Sequence, residues 1–203
     1  QGLGLVADSL EEVNDLVEHL SEETYIEMCR RVQYFSFLIS QGFFAKQFLL
    51  KAVFELGIQK GSEGQRLQLL TVTNSQDLEQ IQYLVDKLPE CDFRIAARTM
   101  MGPRLMELSQ KENVYLYPAS DSEKLEKLIE GTDLYLDINY GGAVDGVLDS
   151  VIAKEIPIFS FYKTQNGDMG QYLFAIKNVD IMIDAIRSYA ETKQLPNKSF
   201  DFE

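Results

Sequence analysis

Histidine occurs once in the 203-residue sequence, as His19. A single imidazole, set in a helical pattern near the start of the chain and far in sequence from the other candidate groups, removes Ser/His/Asp hydrolysis and histidine-based metal catalysis, since both need an imidazole at the site. Cysteine occurs twice, as Cys29 and Cys91, without the CxxC or Cys/His spacing of a metal site or disulfide framework. The pair reads as reduced thiols of a cytoplasmic protein. Basic residues are scarce: 19 Lys and Arg stand against 32 Asp and Glu, for a formal charge of −13. That balance excludes a general nucleic-acid or anionic-membrane binder and requires any anionic ligand to be held locally. No run of about eighteen apolar residues is present, so no membrane span is expected. Neither GxGxxG nor GxxxxGK[ST] occurs at a strand end, which leaves NAD and ATP chemistry unsupported.

The 45% hydrophobic content is ample for a substantial core. The chain starts at Gln1, running directly into Gly-Leu-Gly-Leu-Val, and reads as a piece of a larger protein. Ser9 with Glu11 and Glu12 predicts one capped helix, and Ser21 to Thr24 opens a second that Gly42 ends. A third is expected over Phe43 to Leu56, followed by a polar, glycine-rich bridge over Gly57 to Gln65. Beyond it, strand-length apolar runs alternate with helical patterns. The strands are expected at Leu67–Thr73, Phe93–Ala97, Val114–Tyr117, Leu134–Ile138 and Ile156–Phe161. The helices are expected at Ser75–Leu88, Met101–Gln110, Asp121–Glu130, Ala143–Lys154 and Asp180–Glu191. Repeated βα units of this length predict an α/β fold, a Rossmann-like doubly wound parallel sheet of five strands, preceded by a mostly helical segment. The domains are accordingly 1–60, 66–192 and a frayed tail over 193–203.

The site is expected where strand, glycine turn and helix follow one another, from Asp137 to Asp145, because open parallel sheets bind ligands at the carboxyl ends of their strands. Thr73, Asn74 and Ser75 follow the first strand, either as an N-cap alone or as ligand contacts. Arg98 ends the second strand and suits a phosphate, with a surface ion pair as the plain alternative. Asn139, Tyr140, Gly141, Gly142 and Asp145 form the turn itself. Tyr140 could stack on a base or sugar, while Tyr115, Tyr117 and Tyr135 read as core. Asp145 and Asp149, expected on one helix face, are also explained by a solvated acidic surface. A positive φ at Gly141 or Gly142 would make either intolerant of a side chain.

Thr73-Asn74-Ser75-Gln76-Asp77-Leu78-Glu79-Gln80-Ile81, Phe93-Arg94-Ile95-Ala96-Ala97, Asn113-Val114-Tyr115-Leu116-Tyr117-Pro118 and Asp133-Leu134-Tyr135-Leu136-Asp137-Ile138-Asn139 together resemble the C-terminal region of bacterial accessory glycosyltransferases. The resemblance is to the stabilising subunits of the transferase pair that puts O-GlcNAc on serine-rich-repeat adhesins of Gram-positive bacteria. The resemblance spans roughly residues 66 to 192. Gly2 to Glu12 looks like the closing segment of a GT-B donor domain, and Gly42-Phe43-Phe44-Ala45-Lys46 is similar to the end of glucosyltransferases of the same pathway. The resemblance implies a GT-B half-domain, a partner glycosyltransferase subunit, a serine-rich glycoprotein acceptor, and a UDP-sugar as donor ligand with no other cofactor.

Active retaining members of the GT-B class carry two acids around this turn. Anchored on Pro157, those positions fall near Gly142 and Ser150, neither of them acidic. A shifted alignment would use Asp137 and Asp145, at the cost of an acid inside a strand. Loss of one charged partner of a developing oxocarbenium and diphosphate costs about 2.7–4 kcal/mol by analogy with oxyanion donors. No Asp-x-Asp is present for a GT-A metal site. The resulting expectation is a module without its own turnover that stabilises a partner or holds the acceptor. The alternatives are a retaining GT-B transferase, with Arg98, Asn139 and Asp145 gripping a UDP-sugar, and a domain used only for homo-oligomerisation.

Overall fold

The computed structural model describes residues 4–40, 42, 44, 45, 48, 49, 66–167 and 171–196. The expected bridge over 57–65, most of the expected third helix and the tail from 197 lie outside them. The chain divides into two units, Gln1–Gln59 and Lys60–Glu203.

The first unit contains α1 (Leu10–Glu18) and α2 (Glu22–Ser40). Ser9 caps α1 by accepting the Glu12 N–H at 3.2 Å, and the Glu12 carboxylate accepts the Asp8 N–H at 2.8 Å, so one orphan donor of the first turn and the N–H just before the cap are satisfied. The Ser21 hydroxyl does the same for Thr24 N–H at 3.2 Å. Beyond the end of α2, Gly42 takes φ +65° and its N–H donates to Ile39 O at 3.0 Å, the left-handed stop for which glycine is suited.

The second unit is built on β1 (Gln68–Val72), β2 (Asp92–Ala96), β3 (Val114–Tyr117), β4 (Leu134–Asp137), β5 (Ile158–Phe161) and β6 (Tyr172–Phe174). They form one sheet in the order β3-β2-β1-β4-β5-β6, and every pairing is parallel. Between them lie α3 (Ile81–Lys87), α4 (Pro103–Leu108), α5 (Ser122–Glu130) and α6 (Val147–Ala153), and α7 (Val179–Thr192) closes the unit. The order runs outward from β1 in one direction and then outward through β4 in the other. With right-handed crossovers this places helices on both faces, as the doubly wound expectation requires.

Both faces being covered explains why strands read as unbroken apolar runs: β4 and β5 are buried at every position. Leu70, Val72, Tyr135 and Ile158 meet Leu125, Leu128 and Ile129 of α5 and Val147, Leu148 and Val151 of α6 in one cluster. Truncating a member of such a cluster to alanine costs about 2–5 kcal/mol. The α5 boundaries follow from local chemistry, with Asp121 accepting Lys124 N–H at 2.8 Å and Gly131 at the other end. Asn113 donates to Val85 O and Leu88 O at 3.1 and 3.2 Å, satisfying carbonyls at the end of α3.

Three expectations change. The sheet has a sixth strand, β6, too short at three residues to stand out as an apolar run. The helix expected from Ser75 begins at Ile81, and the one expected from Ala143 begins at Val147. Asp145 therefore lies in a turn, not on a helix face shared with Asp149. The two helix starts fall at the carboxyl edge of the sheet, where contacts distant in sequence decide the local structure.

Candidate functional site

β1 and β4 are neighbours at the point where the strand order reverses, so their carboxyl ends mark the crevice in which a doubly wound sheet takes a ligand. Thr73, 1% exposed, extends β1 by donating its N–H to Ala96 O at 2.8 Å. Its hydroxyl lies 2.8 Å from both Ser75 O and Asn139 Oδ1 and accepts the Ser75 N–H at 2.9 Å. The residues expected to cap a helix thus form a local hydroxyl turn. The helix starts at Ile81 behind Gln80, which has φ +54° and makes no side-chain cap.

Asn139 is 3% exposed and is the centre of a hydrogen-bond cluster at these strand ends. Its amide nitrogen reaches Asn74 Oδ1 at 3.0 Å, Gly141 O at 3.0 Å and Gly142 O at 3.2 Å. Its oxygen accepts the Gly141 N–H at 3.1 Å and faces the Thr73 hydroxyl. The Asn74 amide donates in turn to Gly142 O at 3.0 Å. The backbone reinforces this knot, because Glu79 N–H donates to Ile138 O at 2.8 Å and Tyr140 N–H to Asp77 O at 3.2 Å. Leu78 and Asn139 form an antiparallel bridge, and Leu78 is buried. The loop after β1 is folded onto the segment after β4, covering the strand ends with the chain's own backbone.

Neither Gly141 nor Gly142 has a positive φ; Gly146, at +77°, does. At Gly141 a side chain would instead displace the exposed Asn74 side chain from its place in the knot. A Cβ there would lie 1.8 Å from Asn74 Oδ1, whereas one at Gly142 would meet nothing within 4 Å. α6 has seven residues and begins behind Gly146 without a side-chain cap, so it offers little as an anion seat.

Of the residues singled out from sequence, Thr73, Asn74, Asn139, Gly141 and Gly142 come together. Arg98 is exposed on the loop after β2 and donates to the Ser122 hydroxyl at 3.1 Å, in the first turn of α5. Ser75 turns its hydroxyl to the Asp77 N–H at 3.0 Å. Asp145 is exposed and makes no hydrogen bond or ion pair with a described residue. Tyr140 leaves the knot, and its phenol donates to the Glu79 carboxylate, which holds the phenol above its ordinary pKa.

Asp137 ends β4 inside the fold, 3% exposed, and no cation lies within ion-pair distance of it among the described residues. Its carboxylate accepts the Asn166 N–H at 2.9 Å, the Asn166 side-chain amide at 2.8 Å and the Gln171 amide at 3.3 Å. Its backbone carbonyl accepts the hydroxyls of Ser160 and Thr164, both at 2.8 Å. Burial raises its pKa, and these donors offset part of the rise. This acid is a tether for the connection from β5 to β6.

Sequence reasoning did not single out Glu79, Asn166 or Gln171. Only the run Asp137-Ile138-Asn139 hinted that two polar side chains leave β4 together. Next to the knot is an open groove of about 850 Å³, lined by Gln76 to Tyr83, Asp86, Arg104, Leu105, Leu108 and Tyr140.

Residues 69–201 match the family described as the GftB/GlyA-F C-terminal domain, and residues 1–52 match the Glucosyltransferase 3-like C-terminal domain. Glycosyltransferase GlyD of Streptococcus pneumoniae is 44% identical over 126 residues, which cover 62% of this chain and 16% of that protein. The UDP-N-acetylglucosamine–peptide N-acetylglucosaminyltransferase stabilising protein GtfB of Streptococcus parasanguinis is 37% identical over 113 residues, covering 56% of this chain and 26% of the relative. The crystal structure of glycosyltransferase GlyE of S. pneumoniae superposes with a TM-score of 0.59 at 32% identity, covering 70% of this chain and 38% of that one. The chain therefore spans well under half the length of each of these relatives.

Proposed function

Because the chain belongs to the GftB/GlyA-F C-terminal domain family, we propose that it is an accessory glycosyltransferase-like module of serine-rich adhesin O-glycosylation. In this reading it stabilises a partner transferase and holds the glycosylated acceptor, without turning over a sugar nucleotide itself. The observation that carries the reading is the Asn139 knot. The polar groups at the carboxyl ends of β1 and β4 are spent on one another, with Asn139 satisfying Gly141, Gly142, Asn74 and Thr73. A diphosphate or ribose would have to replace these bonds, each with a net value of about 0.5–1.5 kcal/mol, before gaining any of its own. The absence of acids at Gly142 and Ser150 points the same way.

The name of the GtfB relative, a stabilising protein for a peptide N-acetylglucosaminyltransferase, supports the partner role. Cys29 and Cys91 are free thiols, which suits the cytoplasm, and no described helix is long and apolar enough to cross a membrane. Calorimetric titration with UDP, UDP-glucose and UDP-GlcNAc tests the reading directly. Silence with all three, together with raised activity of a co-expressed partner transferase on a serine-rich acceptor, is the expected result. Micromolar binding weakened by Asn139→Ala would instead restore the alternative of a retaining GT-B transferase with a working donor pocket.

A further inference from the structure

We propose that the groove between the β1–α3 loop, α3 and α4 is a binding site for a neutral carbohydrate, distinct from the Asn139 knot. The proposal rests on the acceptor-holding part of the function above and gives it a location. At about 850 Å³ the groove is large enough for a short oligosaccharide. Its lining combines the two chemistries that sugar recognition needs. Tyr140 supplies an aromatic ring, 51% exposed, whose hydroxyl is anchored on the buried Glu79. A ring held at its far end is a rigid platform for the C–H face of a pyranose, and its order is established before any ligand arrives. Leu105 and Leu108 of α4 also line the groove, though both are almost wholly buried. Around the rim, the amides of Gln76 and Gln82 and the carboxylates of Asp77 and Asp86 offer donors and acceptors to hydroxyls.

The charge pairing decides which ligand class fits. Asp77 is bridged to Arg104 and Asp86 to Lys111, the latter at 2.7 Å. Glu79 is occupied by the Tyr140 hydroxyl and by the Gln80 amide at 3.0 Å. Two of the three acids are therefore ion-paired and the third is buried and hydrogen-bonded, so a cationic peptide finds no exposed unpaired carboxylate to drive its binding. An anionic ligand such as a nucleoside diphosphate finds the one lining arginine, Arg104, already bridged to Asp77, and meets a chain of net charge −13. A neutral polyhydroxyl ligand pays neither cost, and its hydroxyls bridge groups that already have hydrogen-bond or ion-pair partners. Gln80 sits in the left-handed region, at φ +54°, in the segment that shapes the groove wall. Folding of that loop onto the β4 segment thus closes the strand ends and builds the groove in one move.

The test is a 15N-resolved NMR titration of the 203-residue chain with N-acetylglucosamine, glucose, their short oligomers, UDP, and a lysine-rich peptide. The expected result is saturable shifts from the neutral sugars, confined to Gln76–Tyr83, Arg104–Leu108 and Tyr140. Tyr140→Ala is expected to weaken that binding about ten-fold, while Tyr140→Phe, which keeps the ring, loses less. The mapping on the unaltered chain stands even if Tyr140→Ala perturbs the loop. Absence of sugar shifts, shifts elsewhere on the surface, or preferential binding of UDP or the lysine-rich peptide would each overturn the proposal. Failure here with partner activation intact refutes the groove alone; loss of partner activation refutes the broader reading.

Discussion

Replacing Asn139 by aspartate changes one atom of the knot and reverses its hydrogen-bonding logic. In the native protein the amide nitrogen faces three oxygens, Asn74 Oδ1, Gly141 O and Gly142 O, at 3.0–3.2 Å. A carboxylate oxygen there would be surrounded by acceptors, in a residue only 3% exposed. Asn139→Ala removes the bonds and leaves the half-buried Gly141 N–H without its acceptor, for a loss of about 3 kcal/mol. Asn139→Asp should lose at least as much at pH 7, but the deficit should depend on pH. Protonated, the acid donates to one of the three oxygens; ionised, it donates to none. Its folded pKa must therefore lie above the unfolded value of about 3.9. The stability recovered by protonation is fully present below that unfolded value and is lost as pH rises through the folded one. Urea unfolding followed by circular dichroism, with wild type measured alongside at each pH, reads the effect. With a slope of 1–3 kcal/mol/M, the pH 7 midpoint should fall by about 1–3 M and approach that of wild type near pH 4. A midpoint for Asn139→Asp equal to wild type at pH 7, or a deficit the same at both pH values, would mean that the side chain does not hold the two loops together.

Two further outcomes follow from the same edge of the sheet. Gly146→Ala places a Cβ at φ +77° and should lower stability by about 1 kcal/mol, whereas Gly142→Ala, which meets nothing within 4 Å, should leave the melting temperature unchanged. A reversal of that order would contradict the turn geometry. Asp137→Ala should release the β5–β6 connection, seen as fast hydrogen exchange at the Asn166 amide and in β6 while β1 and β4 stay protected. In wild type the raised Asp137 pKa makes its contribution to stability largest below about pH 4, falling as pH climbs through the folded value, and Asp137→Ala should remove that component.

The sequence alone was enough for the fold class and for most strand and helix centres, because those rest on local periodicity. β3 is found over Val114–Tyr117 as expected, and α5 starts behind Asp121 and stops before Gly131 because capping chemistry is carried by adjacent residues. Five of the candidate residues, Thr73, Asn74, Asn139, Gly141 and Gly142, could be named because they follow strands whose carboxyl ends lie on the ligand-binding edge of a parallel sheet. Their use as a closed knot was not legible. Thr73-Asn74-Ser75 is a good local helix start, and only pairing of residues 77–79 with 138–140 outcompetes it and moves α3 to Ile81. The same holds for β6, whose three residues carry almost no periodic signal and which the Asp137 tether holds through Asn166 and Gln171. The groove beside Tyr140 likewise depends on Glu79 and Arg104, distant in sequence from Tyr140 and from each other. Local propensity set the elements of this chain, and long-range hydrogen bonds between its loops set what their carboxyl edge can bind.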